Sequence, residues 1–536
     1  MIDKHKDNNI YNILIYSFIV VFCLFLAFSY SIEQHAVDFG LISSELVKYP
    51  DTFNSWRTVL NNSFTFLRYL TEVLFYLNLN IQQISLFLLF LTSLFFSLGV
   101  YLTVKNISSS KILALASCLF ILIFRKNFGD LDYPTHMFSE HTNGMMALSL
   151  TTFLFGLIAN KNFLSVGFFI IFLIANHLVV GLWFFSIFSL SLFVLYFYLK
   201  APFNFKSTIS GSILGLILLI FLFYIHQGNL LEIPYSYDKE TFMTYIQNWD
   251  EHRNGYGKLS LLHYSYIFKS FILIFLILIY SKFYKFKNKP QLKVLFLFLC
   301  FSIFFSFIIY LTYKKFPSLY PNLAVRVIPT RFFLLHSVIG YAVIISISYL
   351  ILKNFLKKTN FKEIYSIYFI ILLFTYYSVS HYKHVLYLSN QFIFNIKESD
   401  TVLEKDIFWK QVKETKTKGF FLTSNQACFK TFRKSKKPIL MCPYILNYIP
   451  YIPELSVPTK HIVETIFEIP FADPKPKFMG VQDDIMSEKF KTKTKQEWNN
   501  LANEFNLSAL ILPNEWKIAL KPKLTGKDYS FYTFED

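Results

Sequence analysis

The sequence predicts an all-α polytopic membrane domain of about eleven transmembrane helices, followed by a C-terminal extracytoplasmic α/β domain. Three observations predict it. Of the 536 residues, 54% are hydrophobic and only 16% are charged, the reverse of the low hydrophobicity and high charge of disordered chains. Several apolar runs exceed the roughly 18–20 residues that a bilayer-spanning helix needs. From about residue 384 the composition shifts to Lys, Glu, Asp, Thr and Pro, over a length of ~150 residues that can bury a core of its own. The chain therefore divides into 1–383 and 384–536.

The expected spans are 11–31, 82–104, 111–125, 143–159, 162–176, 178–199, 208–226, 265–281, 292–313, 331–352 and 364–381. The first is too long for a secretory signal, lacks a small-residue cleavage site and is followed by ten more. Asn176-His177 divides the 162–199 stretch into a hairpin. Lysines orient the set, because short cytoplasmic loops collect them. With the N-terminus cytoplasmic, the inner gaps hold Lys105, Lys111, Lys161, Lys200, Lys206 and the clusters 282–289 and 353–362. The longer loops near 32–81, 126–142, 227–264 and 314–330 are then external, as is the C-terminal domain. In that domain 419–424 and 508–513 read as buried strands, 496–507 as an amphipathic helix, and Trp409, Trp498 and Trp516 as core. These features predict an integral membrane protein.

The net charge of +18 would suggest nucleic acid in a soluble protein. Here the basic residues flank apolar runs, where they anchor helices to anionic headgroups, so the expected partner is the bilayer and not nucleic acid. Cys428 and Cys442 share the external domain and can pair there; Cys23, Cys118 and Cys300 sit in apolar runs.

No GxxxxGK[ST], GxGxxG or HExxH occurs, so no nucleotide cofactor is expected and any chemistry draws on the membrane or the outer face. Glu33, His35 and Asp38 directly follow the first span; a carboxylate there suits a general base or a metal ligand, the alternative being a solvated loop. The second external loop carries Asp130, Asp132, His136, Glu140 and His141. Carboxylates with imidazole suit Mg²⁺, Mn²⁺ or Zn²⁺, which would clamp a phosphate leaving group; a hydrated turn is the alternative. His177 is either a satisfied core histidine or a lipid-phosphate contact. Only seven arginines occur: Arg57, Arg68, Arg125, Arg253, Arg326, Arg331 and Arg433. All fall on the outer side of this topology. A guanidinium binds phosphate as a planar fork, and Arg326 and Arg331, flanking Val-Ile-Pro-Thr just before a span, suit a lipid headgroup best. Arg253 lies in an aromatic loop, 227–264, of the kind that lines carbohydrate sites.

The acidic Glu33 and Asp38 after the first span, the Asp130-x-Asp132 in the second external loop and the terminal external domain resemble the layout of the glycosyltransferase C superfamily, which includes the catalytic subunits of oligosaccharyltransferases. Phe138 to Trp183 is also similar to bacterial membrane proteins related to that superfamily. The resemblance covers 11–381. It implies a bacterial inner (plasma) membrane as the location, and sugar transfer from a polyprenyl-phosphate donor to a glycan, lipid or protein acceptor. Asp38, with Glu33, would be the catalytic carboxylate, Asp130 and Asp132 would bind Mg²⁺ or Mn²⁺, and Arg326 or Arg331 would hold the phosphate. The first loop carries Asp-Phe-Gly rather than two adjacent acids, and the Trp-Trp-Asp-Tyr-Gly motif is absent, so asparagine sequons are not the expected acceptor. Two other readings stand beside this one. A transporter or flippase of an anionic or lipid-linked solute would place its charges at mid-membrane. A membrane assembly factor would use the C-terminal domain to bind protein.

Overall fold

A computed structural model describes residues 2–124, 136–250, 253, 261–283, 289–316, 319–320, 326–327, 329–358, 368, 375, 379, 382–398, 407–442, 446, 448–473 and 480–534. Ten of the expected spans coincide with apolar helices: α1 (Ile2–Tyr30), α5 (Ile81–Ser108), α6 (Lys111–Phe124), α7 (Thr142–Ala159), α8 (Phe163–Asn176), α9 (Leu178–Phe197), α10 (Phe205–Gln227), α12 (Leu261–Phe283), α13 (Pro290–Lys315) and α14 (Leu334–Lys358). Seven of these, α14 being counted with the 3-10 turn Pro329–Phe333 that leads into it, are long and apolar enough to cross a bilayer, whereas α6, α8 and α12 carry shorter apolar stretches. The expected span 364–381 lies outside the described residues, apart from positions 368, 375 and 379.

The helices run alternately up and down, so the bundle has two chemically different ends. At one end Asn106 of α5 donates to the Asn160 side chain beyond α7, and Lys161, Lys200 and Lys206 are exposed. At the other, Gln34 N–H donates to Ser85 Oγ at the start of α5, and Thr65 Oγ1 donates to the Asn176 carbonyl at the end of α8. Small residues let neighbours close up: a Cβ on Gly211 of α10 would collide with the Leu164 carbonyl of α8.

The 32–81 segment, expected as a loop, folds instead into α2 (Ala36–Ser43), α3 (Ser55–Asn62) and α4 (Phe66–Tyr76). Asn54 caps α3 by accepting from Arg57 N–H, and Thr65 caps α4 by accepting from Leu67 N–H. Each is far below span length and too short to hold a helix unaided. Packing supplies what length does not: α2 lies against α4, with Gly40 close to Thr71 and Phe75.

In the C-terminal part, α15 (Tyr382–Glu398) crosses the expected boundary at 383 and lies along α1. Phe392 packs on Phe25 with ring centroids 5.1 Å apart, and Asn395 Nδ2 donates to the Phe28 carbonyl at 2.8 Å. Beyond it come α16 (Ile407–Glu414), β1 (Phe420–Thr423), α17 (Asn425–Lys434), α18 (Ser456–Ile466), α19 (Asp483–Thr492), α20 (Lys495–Phe505), β2 (Leu507–Pro513), β3 (Leu524–Thr525) and β4 (Tyr529–Thr533). The sheet order is β1-β2-β4-β3, with β1 and β2 parallel and the other pairs antiparallel. Trp409, Trp498 and Trp516 are buried as expected, and Cys428 and Cys442 form a disulfide.

Candidate functional site

The C-terminal domain meets the membrane bundle through α17. Ser424 caps this helix by accepting from Ala427 N–H, and the Cys428–Cys442 bridge ties its first turns down. Phe429 and Arg433 are four residues apart and so share a face. Arg433 forks onto Asp38, with Nε donating to Oδ1 at 2.7 Å and Nη2 to Oδ2 at 2.8 Å. Its Nη1 reaches Glu33 Oε2 at 3.2 Å, and the guanidinium lies 4.6 Å from the centre of the Phe429 ring. Asp38 and Arg433 are only 2% and 4% exposed. Burial opposes the Arg433 charge, but the Asp38 and Glu33 carboxylates outweigh it and push the group further up. Both oxygens of Asp38, expected as a loop base, thus lie in a buried helix and are held by a cation from the other domain. Lys436, beside them, is pushed down to about 8 by burial and by the Lys413 charge.

His35 is the second element of the seam. Its backbone N–H donates to the Glu140 carbonyl at 2.9 Å, and its Nε2 lies 3.4 Å from Glu140 Oε2. The ring stacks on Phe429, with centroids 5.1 Å apart, and meets His141 edge-on at 5.1 Å. One phenyl ring therefore carries both the Arg433 cation and the His35 imidazole. Hydrogen bonding to His35 holds the Glu140 carboxyl down to about 2. Burial, with His35 adding to it, pushes His141 down to about 4.

The His141 shift predicts a pH dependence of stability. Between its usual 6.5 and about 4 the unfolded chain takes up a proton that the folded chain refuses, so stability falls as the pH falls through that window. The melting temperature of the purified protein should drop by a few degrees from pH 6.5 to 4, and His141→Gln should flatten the drop. An unchanged slope in the variant would remove His141 as its source.

The arginines divide into neutralised and available groups. Arg253, expected at a phosphate, is 2% exposed and its Nη1 donates to Asp250 Oδ2 at 2.6 Å. Its Nε donates to the Arg326 carbonyl at 2.8 Å, and its own carbonyl accepts from Tyr313 Oη. Arg253 therefore braces this corner. Arg326 is different. Its guanidinium lies over Tyr237 at 5.8 Å and over Phe242 of α11 (Lys239–Asn248) at 5.0 Å, and its Nε is buried with no acceptor among the described residues. Arg331, in the 3-10 turn before α14, bonds Tyr451 of the C-terminal domain. Its charge also reaches His141 and His177. His177 caps α9, with Val180 N–H donating to Nδ1 over a long 3.5 Å. Burial first, then Arg331, pushes it down to about 3.

Of the expected metal ligands, His136, Glu140 and His141 lie among the described residues. Asp130 and Asp132 lie outside the described residues. His136 is exposed, and Glu140 is engaged by His35. Among the described residues no three His, Cys, Asp or Glu side chains are grouped to hold an ion. No step is therefore routed through a metal. Three contributors went unread in the sequence: Phe429, Arg433 and Tyr451. The one available signal was that Arg433 is the only arginine after residue 383. No family model matches the chain, and no curated protein matches it either.

Proposed function

We propose that the protein is an integral membrane glycosyltransferase that takes its sugar from a lipid-phosphate donor, at the end of the bundle carrying the C-terminal domain. That end would be extracytoplasmic, with the lysine-bearing end in the cytoplasm. The observation that supports this reading most is Arg326. A half-buried guanidinium resting on two aromatic rings, its Nε buried with no acceptor among the described residues, is suited to an anionic ligand. It stands near the start of α14, and its carbonyl accepts from the Asp250-paired Arg253.

In the reaction the acceptor oxygen bonds to the anomeric carbon as the bond from that carbon to the phosphate oxygen breaks. The lipid phosphate leaves with the electron pair. Arg326, with Arg331, faces the charge that develops there. His35 takes the acceptor hydroxyl proton, Glu140 orienting its imidazole. Asp38 and Glu33 hold the domains together through Arg433. The donor bond supplies the energy, consistent with a sequence that has no nucleotide motif.

The test is Arg326→Lys, with Arg331→Lys beside it, assayed as release of polyprenyl phosphate from polyprenyl-phosphate hexoses in nanodiscs. Lys keeps the charge and loses the fork. Arg326→Lys should lose at least about tenfold, roughly 1.4 kcal/mol of transition-state stabilisation, with insertion unchanged. Wild-type turnover in both variants would reduce the arginines to interface anchors, for which any long cation serves.

A further inference from the structure

Beside this cationic corner lies a polar side chain that the fold leaves unsatisfied. Asn176 ends α8 and is 3% exposed. Both its amide oxygen and its amide nitrogen are buried, and neither has a hydrogen-bond partner among the described residues. Its backbone is well held: the carbonyl accepts from Thr65 Oγ1 at 3.1 Å, and the same hydroxyl lies 3.3 Å from Asn143 Oδ1. A second orphan is the Thr330 hydroxyl, 3% exposed and also without a partner among the described residues. The two stand next in sequence to His177 and Arg331, and Trp183 of α9 packs on Phe332 of the 3-10 turn with ring centroids 5.4 Å apart, which brings both chain segments together. A buried amide without partners costs roughly 1–3 kcal/mol per unsatisfied group, so folding alone gives no reason to keep it. Its chemistry narrows what would satisfy it. The amide offers two donors and one acceptor. Phosphate and carboxylate only accept, and ammonium only donates; a hydroxyl does both.

We propose that Asn176, with Thr330, forms a subsite for the hydroxyl groups of a sugar ring, adjoining the phosphate-binding arginines. This rests on the donor reading above and assigns the part of the donor that the arginines do not touch. The amide binds in the plane of two neighbouring ring hydroxyls, donating to one and accepting from the other. It thereby sets the sugar's orientation toward the acceptor, while Arg326 sets the phosphate.

The experiment compares two probes on the full chain in nanodiscs, dodecyl phosphate and dodecyl-phosphoryl glucose, by thermal shift and titration. In the wild type the sugar-bearing probe should bind about tenfold tighter than the alkyl phosphate. Asn176→Leu should erase that gain and leave alkyl-phosphate binding unchanged, and Arg326→Ala should weaken both probes. Without ligand, Asn176→Leu should melt at or above the wild-type temperature, because it replaces an unsatisfied amide by an apolar group of similar size. A sugar gain that is absent in the wild type, or kept in Asn176→Leu, overturns the subsite. So does a marked fall in the variant's ligand-free melting temperature, which would make the amide structural. If dodecyl phosphate fails to bind but an Asn176-dependent sugar gain persists, the subsite stands and the lipid-phosphate reading falls.

Discussion

Arg433→Met should lower the melting temperature of the detergent-solubilised protein by several degrees and release the C-terminal domain from the bundle. The substitution leaves Asp38, 2% exposed, without the two bonds of 2.7 and 2.8 Å that compensate its burial. Removing one partner of a buried pair costs about 3–5 kcal/mol, far more than the pair contributes over an apolar replacement. An exposed pair would lose under about 1 kcal/mol, so the size of the fall decides between the two descriptions. The double variant Arg433→Met with Asp38→Leu removes both charges and should recover most of the loss, a coupling that residues in direct contact show. Limited proteolysis reports the domain release, since the seam backbone is protected only while docked. A single variant that melts like the wild type, or a double variant no better than the single, would mean that Arg433 does not hold the seam.

His35→Phe should reduce sugar transfer by about 10²–10⁴-fold, the usual contribution of a positioned general base, with little change in melting temperature. Phe is chosen because it keeps a ring stacked on Phe429, where His35 now lies at 5.1 Å, and deletes only the imidazole nitrogens. The Glu140 contact at 3.4 Å is lost with them, and the side chain of Glu140 is 42% exposed, so water takes it over at small cost. The same release of polyprenyl phosphate from its hexose esters reads the effect. Full activity in His35→Phe would pass the proton to another group. Lys436 is the next to examine, since burial and a neighbouring lysine bring it down to about 8.

What the sequence determined by itself is local. Apolar runs placed ten helices, seven of them long enough to cross a bilayer, because in hydrocarbon every backbone polar group must be satisfied within its own segment. Lysines between those runs marked one end of the bundle. Short apolar runs and a helical apolar period placed β1, α20 and β2, and two cysteines in one polar domain foretold their bridge. Only the tertiary structure decided the site. Helices α2 to α4 exist because α2 and α4 pack on one another, and no apolar run announces helices of eight to eleven residues. Asp38 read as an unpaired loop carboxylate because its partner, Arg433, is 395 residues away. His35 and Glu140 belong to different interhelical segments, and neither reveals the other. A carboxylate beside a guanidinium is a fixed clamp, and one beside water is a base. Which of the two it is depends on the side chains that packing brings to it, and hydropathy and spacing along the chain carry no record of them.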